Sequence, residues 1–336
     1  MRLLFASLAT VGHAYPLVPL AIAARRAGCE VHFAAGESVH PALAAHGLRP
    51  FRPADCFSEI YPEDLAGDLD RLRPDLVIHE WGVPGAAIAA RRAGIPGLWH
   101  GFGRMFPDGI GLESPLRIPE VAGLPHLDIC PPALQDKDFL AADRIPLRPI
   151  PYPDPFAADG PPELQNSRPL IYLTLGTVFG APELLTTTIA GLARLDARIV
   201  VAAGRLTPSE LGPQPENVTI HAWVPQTRLL PHTDVVVHHG GSGTTLAALN
   251  SGVPQLLLPQ GADQFANADA LAAAGAAIQL RAGDIDPGAI ADAAARLLPR
   301  RGNDHRDAAR AIAAEIAGMP DPETVVGALR AHADGR

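Results

Sequence analysis

Short apolar runs alternate along the chain with segments of helical periodicity. In the N-terminal half, residues 3–7, 30–34 and 76–79 are mostly apolar stretches of strand length, and 17–27, 63–73 and 83–93 carry helical spacing. Ala93-Gly94-Ile95-Pro96 reads as a helix stop followed by another strand. In the second half, 170–175, 200–203, 218–222, 235–238 and 255–258 read as strands, with helices between most of them. Near-continuous apolar strands are those covered on both faces. The repeated alternation predicts an α/β fold of parallel sheets with helices on both sides. Between the halves lies Ile150-Pro151-Tyr152-Pro153-Asp154-Pro155-Phe156, continuing to Gly160-Pro161-Pro162. Proline at that density precludes regular structure and makes a semi-rigid linker. The expected organisation is a first domain over 1–150, a linker over 151–168, a second domain over 169–320 and a last helix over 321–336. Asp321 suits that helix's N-cap and Pro322 its first position.

Composition narrows the class. The 336 residues suffice for two full cores. Net charge is −9, and no dense Lys/Arg run offers a nucleic-acid surface. Leu298-Pro299-Arg300-Arg301 reads as a solvated helix end. Cys29, Cys56 and Cys130 are odd in number, widely spaced and form no CxxC pair. Buried free thiols in a reducing cytosol are expected, without a disulfide framework or zinc site. His13 and Pro16 interrupt the apolar start, and no later run is long enough to span a bilayer, so the chain is expected to be cytoplasmic.

The most informative run is His238-His239-Gly240-Gly241-Ser242-Gly243-Thr244, between the strand 235–238 and the helical Leu246-Ala247-Ala248-Leu249. A strand, a glycine turn and a helix together aim backbone N–H groups at an anion. Glycines let the chain approach a phosphate without Cβ clash, and a neighbouring histidine adds a donor. The run reads as a diphosphate site, although such turns also occur simply to pack a helix on a sheet.

It has company. Trp223-Val224-Pro225-Gln226 lies upstream, and Pro259-Gln260-Gly261-Ala262-Asp263-Gln264-Phe265-Ala266-Asn267-Ala268 downstream. In this order and spacing the three segments resemble the donor-binding signature of the nucleotide-sugar glycosyltransferases that decorate small molecules. That superfamily includes the UDP-glucuronosyltransferases and the bacterial macrolide glycosyltransferases. Gly12-His13-Ala14-Tyr15-Pro16 extends the resemblance to the N-terminus. The local wording is most similar to the actinobacterial enzymes of antibiotic biosynthesis. The resemblance implies a GT-B fold: two Rossmann-like domains with parallel sheets facing across a cleft, the second holding the donor. It also implies that the last helix crosses back to the first domain. Residues 57–64 and 106–121 look compressed where relatives carry acceptor-wrapping segments.

Residue roles follow from the same resemblance. Trp223 stacks on the nucleotide base, Val224 reads the base edge through its backbone, and Gln226 reaches the ribose. His239 binds the diphosphate, with Gly241, Ser242, Gly243 and Thr244 supplying backbone and hydroxyl donors, while His238 is structural. Asp263 and Gln264 hold sugar hydroxyls, although Asp263 alone reads equally as an N-cap. Asn267 faces the same way one turn later. Gly176 and Thr177 lie near the diphosphate and sugar.

Glycosyl transfer requires a base for the acceptor hydroxyl and stabilisation of the leaving diphosphate. His13, after the first strand, is placed to be that base, and its titration range suits the task. A lone histidine there would read as a local cap; the surrounding motif favours catalysis. Glu80, at the end of the strand over 76–79, is placed to orient the imidazole, where the family usually has another acidic residue. His79 points to the other strand face. Asp68-Leu69-Asp70, Asp136-Lys137-Asp138 and Asp284-Ile285-Asp286 have metal-binding spacing by chance, and no catalytic metal is expected. The expectation is an inverting, metal-independent glycosyltransferase without a cofactor. Its co-substrate is a nucleoside diphosphate sugar, dTDP-deoxysugar favoured and UDP-sugar the alternative. Its acceptor is a small apolar natural product, a polyketide-like or aromatic aglycone, and a homodimer is compatible with the chain. Two rivals stand beside it: a GT-B nucleotide-sugar 2-epimerase, and a non-catalytic nucleotide-binding homologue that assists a partner enzyme.

Overall fold

The computed structural model describes residues 1–53, 59–156, 168–176, 182–204, 206, 208–299 and 303–333. It forms two compact units, Met1–Phe156 with Gly318–Arg336, and Ala157–Ala317.

The first unit runs β1 (Arg2–Ala6), α1 (Val11–Ala14), α2 (Val18–Arg26), β2 (Glu30–Ala34), α3 (His40–Ala45), β3 (Arg49–Phe51), α4 (Pro62–Leu72), β4 (Leu76–Glu80), α5 (Pro84–Arg92), β5 (Gly97–His100), β6 (His126–Asp128) and β7 (Arg144–Pro146). The seven strands are parallel, in the order β3-β2-β1-β4-β5-β6-β7. Leu4, Ala6 and Val77 pack against Leu65 and Leu69 of α4 and Ala86 and Ala89 of α5. A second cluster joins Trp81, Trp99, Phe102, Phe106 and Phe139.

The second unit runs β8 (Leu170–Thr174), α6 (Pro182–Leu192), β9 (Arg198–Ala202), β10 (Val218–His221), α7 (Gln226–Leu229), β11 (Val235–His238), α8 (Ser242–Asn250), β12 (Gln255–Leu257), α9 (Gln264–Ala273), β13 (Ala277–Gln279), α10 (Pro287–Leu297) and α11 (Asp304–Gly318). Its six strands are parallel, in the order β10-β9-β8-β11-β12-β13. Strand alternation sends Ile171, Leu173, Val235 and Val237 to α6 and α10 on one face. Tyr172, Val200 and Val236 go to Leu229 and Ala247 on the other. Sheets covered on both sides are what the apolar strands implied.

A last helix, α12 (Pro322–Ala333), belongs to the first unit and packs on α2. Asp321 Oδ1 accepts from Thr324 N–H at 2.8 Å and caps it. Arg148 N–H donates to the Pro320 carbonyl at 2.7 Å and fixes the approach.

The structure departs from the sequence expectation in its short pieces. The helix expected over 17–27 is present as α2, but α1 and a 3-10 turn at Tyr15–Leu17 precede it, where no helix was expected. His13 is therefore inside a helical turn rather than ahead of one. The three-residue strands β3, β6, β7 and β13 were not anticipated, since three residues hold too little apolar pattern to register. Among the described residues no helix is long and apolar enough to cross a membrane. Cys29 and Cys130 are buried free thiols, and Cys56 lies outside the described residues.

Candidate functional site

In each unit the strand order reverses once, at β1/β4 and at β8/β11. Chains leaving the carboxyl ends of two such strands diverge to opposite faces and leave a crevice suited to a ligand. Those predicted residues that the structure describes gather at these two points.

At the first, α1 carries His13 and β4 ends on Glu80. His13 Nδ1 stands 3.2 Å from Glu80 Oε2, with the carboxylate fully buried and the imidazole about one-fifth exposed. Burying a carboxylate is costly unless it is hydrogen-bonded. Glu80 Oε1 accepts from Leu8 N–H at 3.1 Å, and Oε2 accepts from Gly82 N–H at 2.6 Å. Gly82 permits this approach, because a Cβ there would lie 2.8 Å from Glu80 Oε1. Phe102 meets the His13 ring edge-on with centroids 4.8 Å apart. His79 lies elsewhere, edge-on to Trp99 at 4.3 Å, and burial pushes its pKa down to about 3.

At the second, His238 and His239 divide the work. His238 is fully buried, donates from Nε2 to Gln255 Oε1 at 2.7 Å, and accepts Gly240 N–H at Nδ1 at 3.1 Å. That is the pattern of a neutral imidazole, and burial holds its pKa down at about 3. His239 is less enclosed. Burial lowers its pKa too, opposed by the Asp263 carboxylate and by the Thr174 backbone. Its ring lies between two glycines: a Cβ on Gly176 would come within 2.6 Å of Cε1, and one on Gly241 within 2.5 Å of Nε2. Gly240, at φ +90°, turns the chain so that Gly241 becomes the N-cap of α8. The first-turn N–H groups of α8, over Ser242, Gly243 and Thr244, therefore lack intrahelical partners.

The flanking segments meet this turn. Gln226 opens α7 and its amide nitrogen reaches Thr244 Oγ1 at 3.3 Å and Tyr172 Oη at 3.4 Å. Val224 is buried, and Trp223 is 53% exposed, an unusual state for a residue that would otherwise seek the core. Asp263 precedes α9 but makes no capping hydrogen bond with its side chain. Its Oδ2 accepts instead from Ser242 Oγ at 3.0 Å and Asn267 Nδ2 at 2.9 Å. The Ser242 hydroxyl hydrogen is thus directed to Asp263. Gln264 is 2% exposed, and its Oε1 accepts from Gln260 N–H at 2.8 Å and Gly261 N–H at 3.3 Å. Thr177 lies outside the described residues.

Sequence reasoning did not single out Leu8, Gly82, Phe102 or Tyr172. Only Gly82, two residues after Glu80, gave a local signal. Among the described residues no three His, Cys, Asp or Glu side chains gather as a metal site. Asp286 instead caps α10 through Gly288 N–H and Ala289 N–H at 2.6 and 2.9 Å.

Residues 186–332 match the family of the erythromycin biosynthesis protein CIII-like C-terminal domain. The whole chain is similar to L-demethylnoviosyl transferase of Streptomyces niveus, 32% identical over 381 residues, covering 99% of this chain and 98% of that protein. It is likewise similar to the elloramycin glycosyltransferase ElmGT of Streptomyces olivaceus, 31% identical over 98% of this chain and 97% of that one. Among solved structures, glycosyltransferase VinC in complex with dTDP superimposes with a TM-score of 0.84 at 25% identity, covering 100% of both chains. The first alignment runs over 381 positions against a chain of 336 residues, so that relative carries internal segments this chain lacks.

Proposed function

The chain belongs to the GT-B nucleotide-sugar glycosyltransferases of antibiotic biosynthesis, and from that premise we propose an inverting, metal-independent transfer with His13 as general base. The observation that carries this reading is the 3.2 Å approach of His13 Nδ1 to the buried Glu80. An imidazole that presents Nδ1–H to a carboxylate has Nε2 as its basic nitrogen, and the carboxylate stabilises the imidazolium once a proton arrives. His13 Nε2 takes the acceptor's hydroxyl proton as the oxygen attacks the anomeric carbon. The bond from that carbon to the diphosphate oxygen breaks, and its electron pair leaves with the nucleotide. Attack opposite the leaving group inverts the anomeric centre. Charge growing on the diphosphate is met by His239 and the N-terminus of α8, without a metal.

The second unit holds the donor. Trp223 is the base platform, Val224 and Gln226 take the base edge and ribose, and Asp263 and Gln264 take the sugar. Gly176 takes the phosphate side, a role the family resemblance extends to Thr177. The dTDP named with the superimposed relative supports a dTDP-sugar donor here, with UDP-sugar second. The elloramycin named with one relative supports a natural-product acceptor, which on this reading is small and apolar.

Calorimetric titration with dTDP, UDP and ADP tests the reading, on the wild type and on His13→Ala. The expected order is dTDP tightest and ADP weakest, with dTDP affinity in His13→Ala within about twofold of wild type and transfer lost. Loss of dTDP affinity in His13→Ala equal to the loss of transfer would overturn the assignment of His13 as base. Binding of none of the three would remove the donor site itself.

A further inference from the structure

Asn267 is 4% exposed on α9, and its side-chain amide joins two parts of the donor site that are far apart in sequence. Nδ2 donates to the Gly240 carbonyl at 3.0 Å and to Asp263 Oδ2 at 2.9 Å, and stands 3.1 Å from Ser242 Oγ. The Ser242 hydroxyl donates to the same Oδ2 at 3.0 Å. We propose that Asn267 is a positioning residue that locks the sugar-binding carboxylate of Asp263 to the diphosphate turn. This rests on the donor-site reading above.

An aspartate at a helix start ordinarily has its rotamer fixed by capping the helix N–H groups. Asp263 does not cap, so that constraint is missing. Its orientation comes instead from the two donors on Oδ2, and a carboxylate oxygen has two lone pairs in which to receive them. Oδ2 is thereby saturated and Oδ1 is the oxygen presented to a ligand. The same amide also holds the Gly240 carbonyl at the point where φ is +90°, next to His239. One side chain therefore sets the spacing between the group that meets the sugar and the turn that meets the phosphates. An amide nitrogen with two hydrogens can do this, whereas hydroxyl or carboxylate replacements lack a donor or add a charge.

Sugar contacts exist in the complex with a nucleotide sugar and are absent with the free nucleotide, so the role predicts a selective loss. The experiment is calorimetric titration of dTDP and dTDP-glucose into the full chain as wild type, Asp263→Ala, Asn267→Ala and the double variant. Asp263→Ala and Asn267→Ala should each weaken dTDP-glucose by about tenfold, with dTDP within about threefold of wild type. In the double variant the loss for dTDP-glucose relative to dTDP should be no greater than in Asp263→Ala, because Asn267 reaches the sugar through Asp263. Equal weakening of both ligands in Asn267→Ala, no weakening, or selective losses that multiply in the double variant would overturn the proposal. If Asn267→Ala does not fold, Ser242→Ala removes the other donor to Oδ2; it should give a smaller loss of the same selectivity, and an unchanged ratio of the two affinities refutes the role. Wild-type dTDP-glucose affinity in Asp263→Ala would instead defeat the sugar-site reading, and the role of Asn267 with it.

Discussion

Lowering the pH from 7.5 to 5 should destabilise the first unit steeply, because it buries three imidazoles as neutral groups. His79, His100 and His126 are at most 4% exposed, and burial pushes their pKa values to about 3, 4 and 4. Neither ring nitrogen of His79 has a hydrogen-bond partner of good geometry among the described residues, so its own backbone offsets little of the cost of charging it. His126 accepts the Trp81 indole N–H at Nδ1 at 3.2 Å, a bond that an imidazolium cannot make. In the unfolded chain each histidine titrates near pH 6.5. Below that pH the unfolded state binds protons that the folded state refuses, so stability is full above about 6.5 and falls as the pH drops toward the folded values. At pH 5 each neutral histidine costs about 2 kcal/mol relative to neutral pH, and three cost about 6 kcal/mol. That is comparable with the whole stability of a typical domain, about 5–15 kcal/mol. Asp128, whose carboxyl pKa is raised by burial, works in the opposite direction and offsets part of this cost as the pH falls.

The assay is urea denaturation followed by tryptophan emission. Trp81 and Trp99 are fully buried in the first unit while Trp223 is exposed in the second, so the red shift reports the first unit. With a denaturant slope of about 2–3 kcal/mol per molar, the midpoint should drop by about 2–3 M between pH 7.5 and 5. His79→Leu, an apolar replacement of similar volume, should remove about a third of that drop. Coincident midpoints at the two pH values, or a full drop retained in His79→Leu, would refute the account.

Two further outcomes concern the sites. Glu80→Gln should lower kcat by about 10²–10³-fold near pH 7, in steady-state assays with an aglycone that supports turnover, and leave dTDP affinity unchanged. A change confined to KM would place Glu80 in acceptor binding instead. Gly241→Ala adds a Cβ 2.5 Å from His239 Nε2 on a backbone of ordinary φ, −65°. It should displace the imidazole and weaken dTDP by about 10–100-fold in calorimetry, the scale of one lost charge-assisted hydrogen bond, whereas native-like affinity would remove His239 from the diphosphate site.

The elements legible in the sequence were those with enough apolar length. β1, β2, β4 and β8 to β11 are four or five residues rich in Leu, Val, Ile and Phe or sit beside such runs, and β12 opens the apolar run 256–258. β6 is His-Leu-Asp and β7 Arg-Ile-Pro, each with one strong apolar residue, and pairing to the sheet rather than local pattern makes them strands. His13 and Glu80 could be read because both lie just beyond or at a strand end, where a parallel sheet exposes side chains to a ligand. Their support could not, since the Leu8 amide reaches Glu80 across 72 residues. Asp263 was legible as polar at a helix start but not as a residue that declines to cap, because the competing donors come from Ser242 and from the next turn.

Both switch points meet the same physical demand in the same way. A polar group must stand at the buried end of a central strand without collapsing onto the apolar core beside it. Beside side-chain partners such as Gln255 and His13, the chain uses its own amides, which add no bulk to the crevice. At β4 the N–H groups of Leu8 and Gly82 hold Glu80, and at β11 the Gly240 N–H holds His238. Close approach of an amide to a side chain two residues earlier leaves no room for a Cβ at Gly82, and the reversal at Gly240 requires positive φ. The glycines after Glu80 and after His239 are therefore consequences of placing a charged or polar group at a strand end, and they precede any demand made by phosphate. That separates two meanings of a glycine turn. At Gly82 the turn serves a carboxylate of the chain itself. At Gly240 and Gly241 the same economy of space also leaves the first amides of α8 without intrahelical partners, and those are the ones available to a diphosphate.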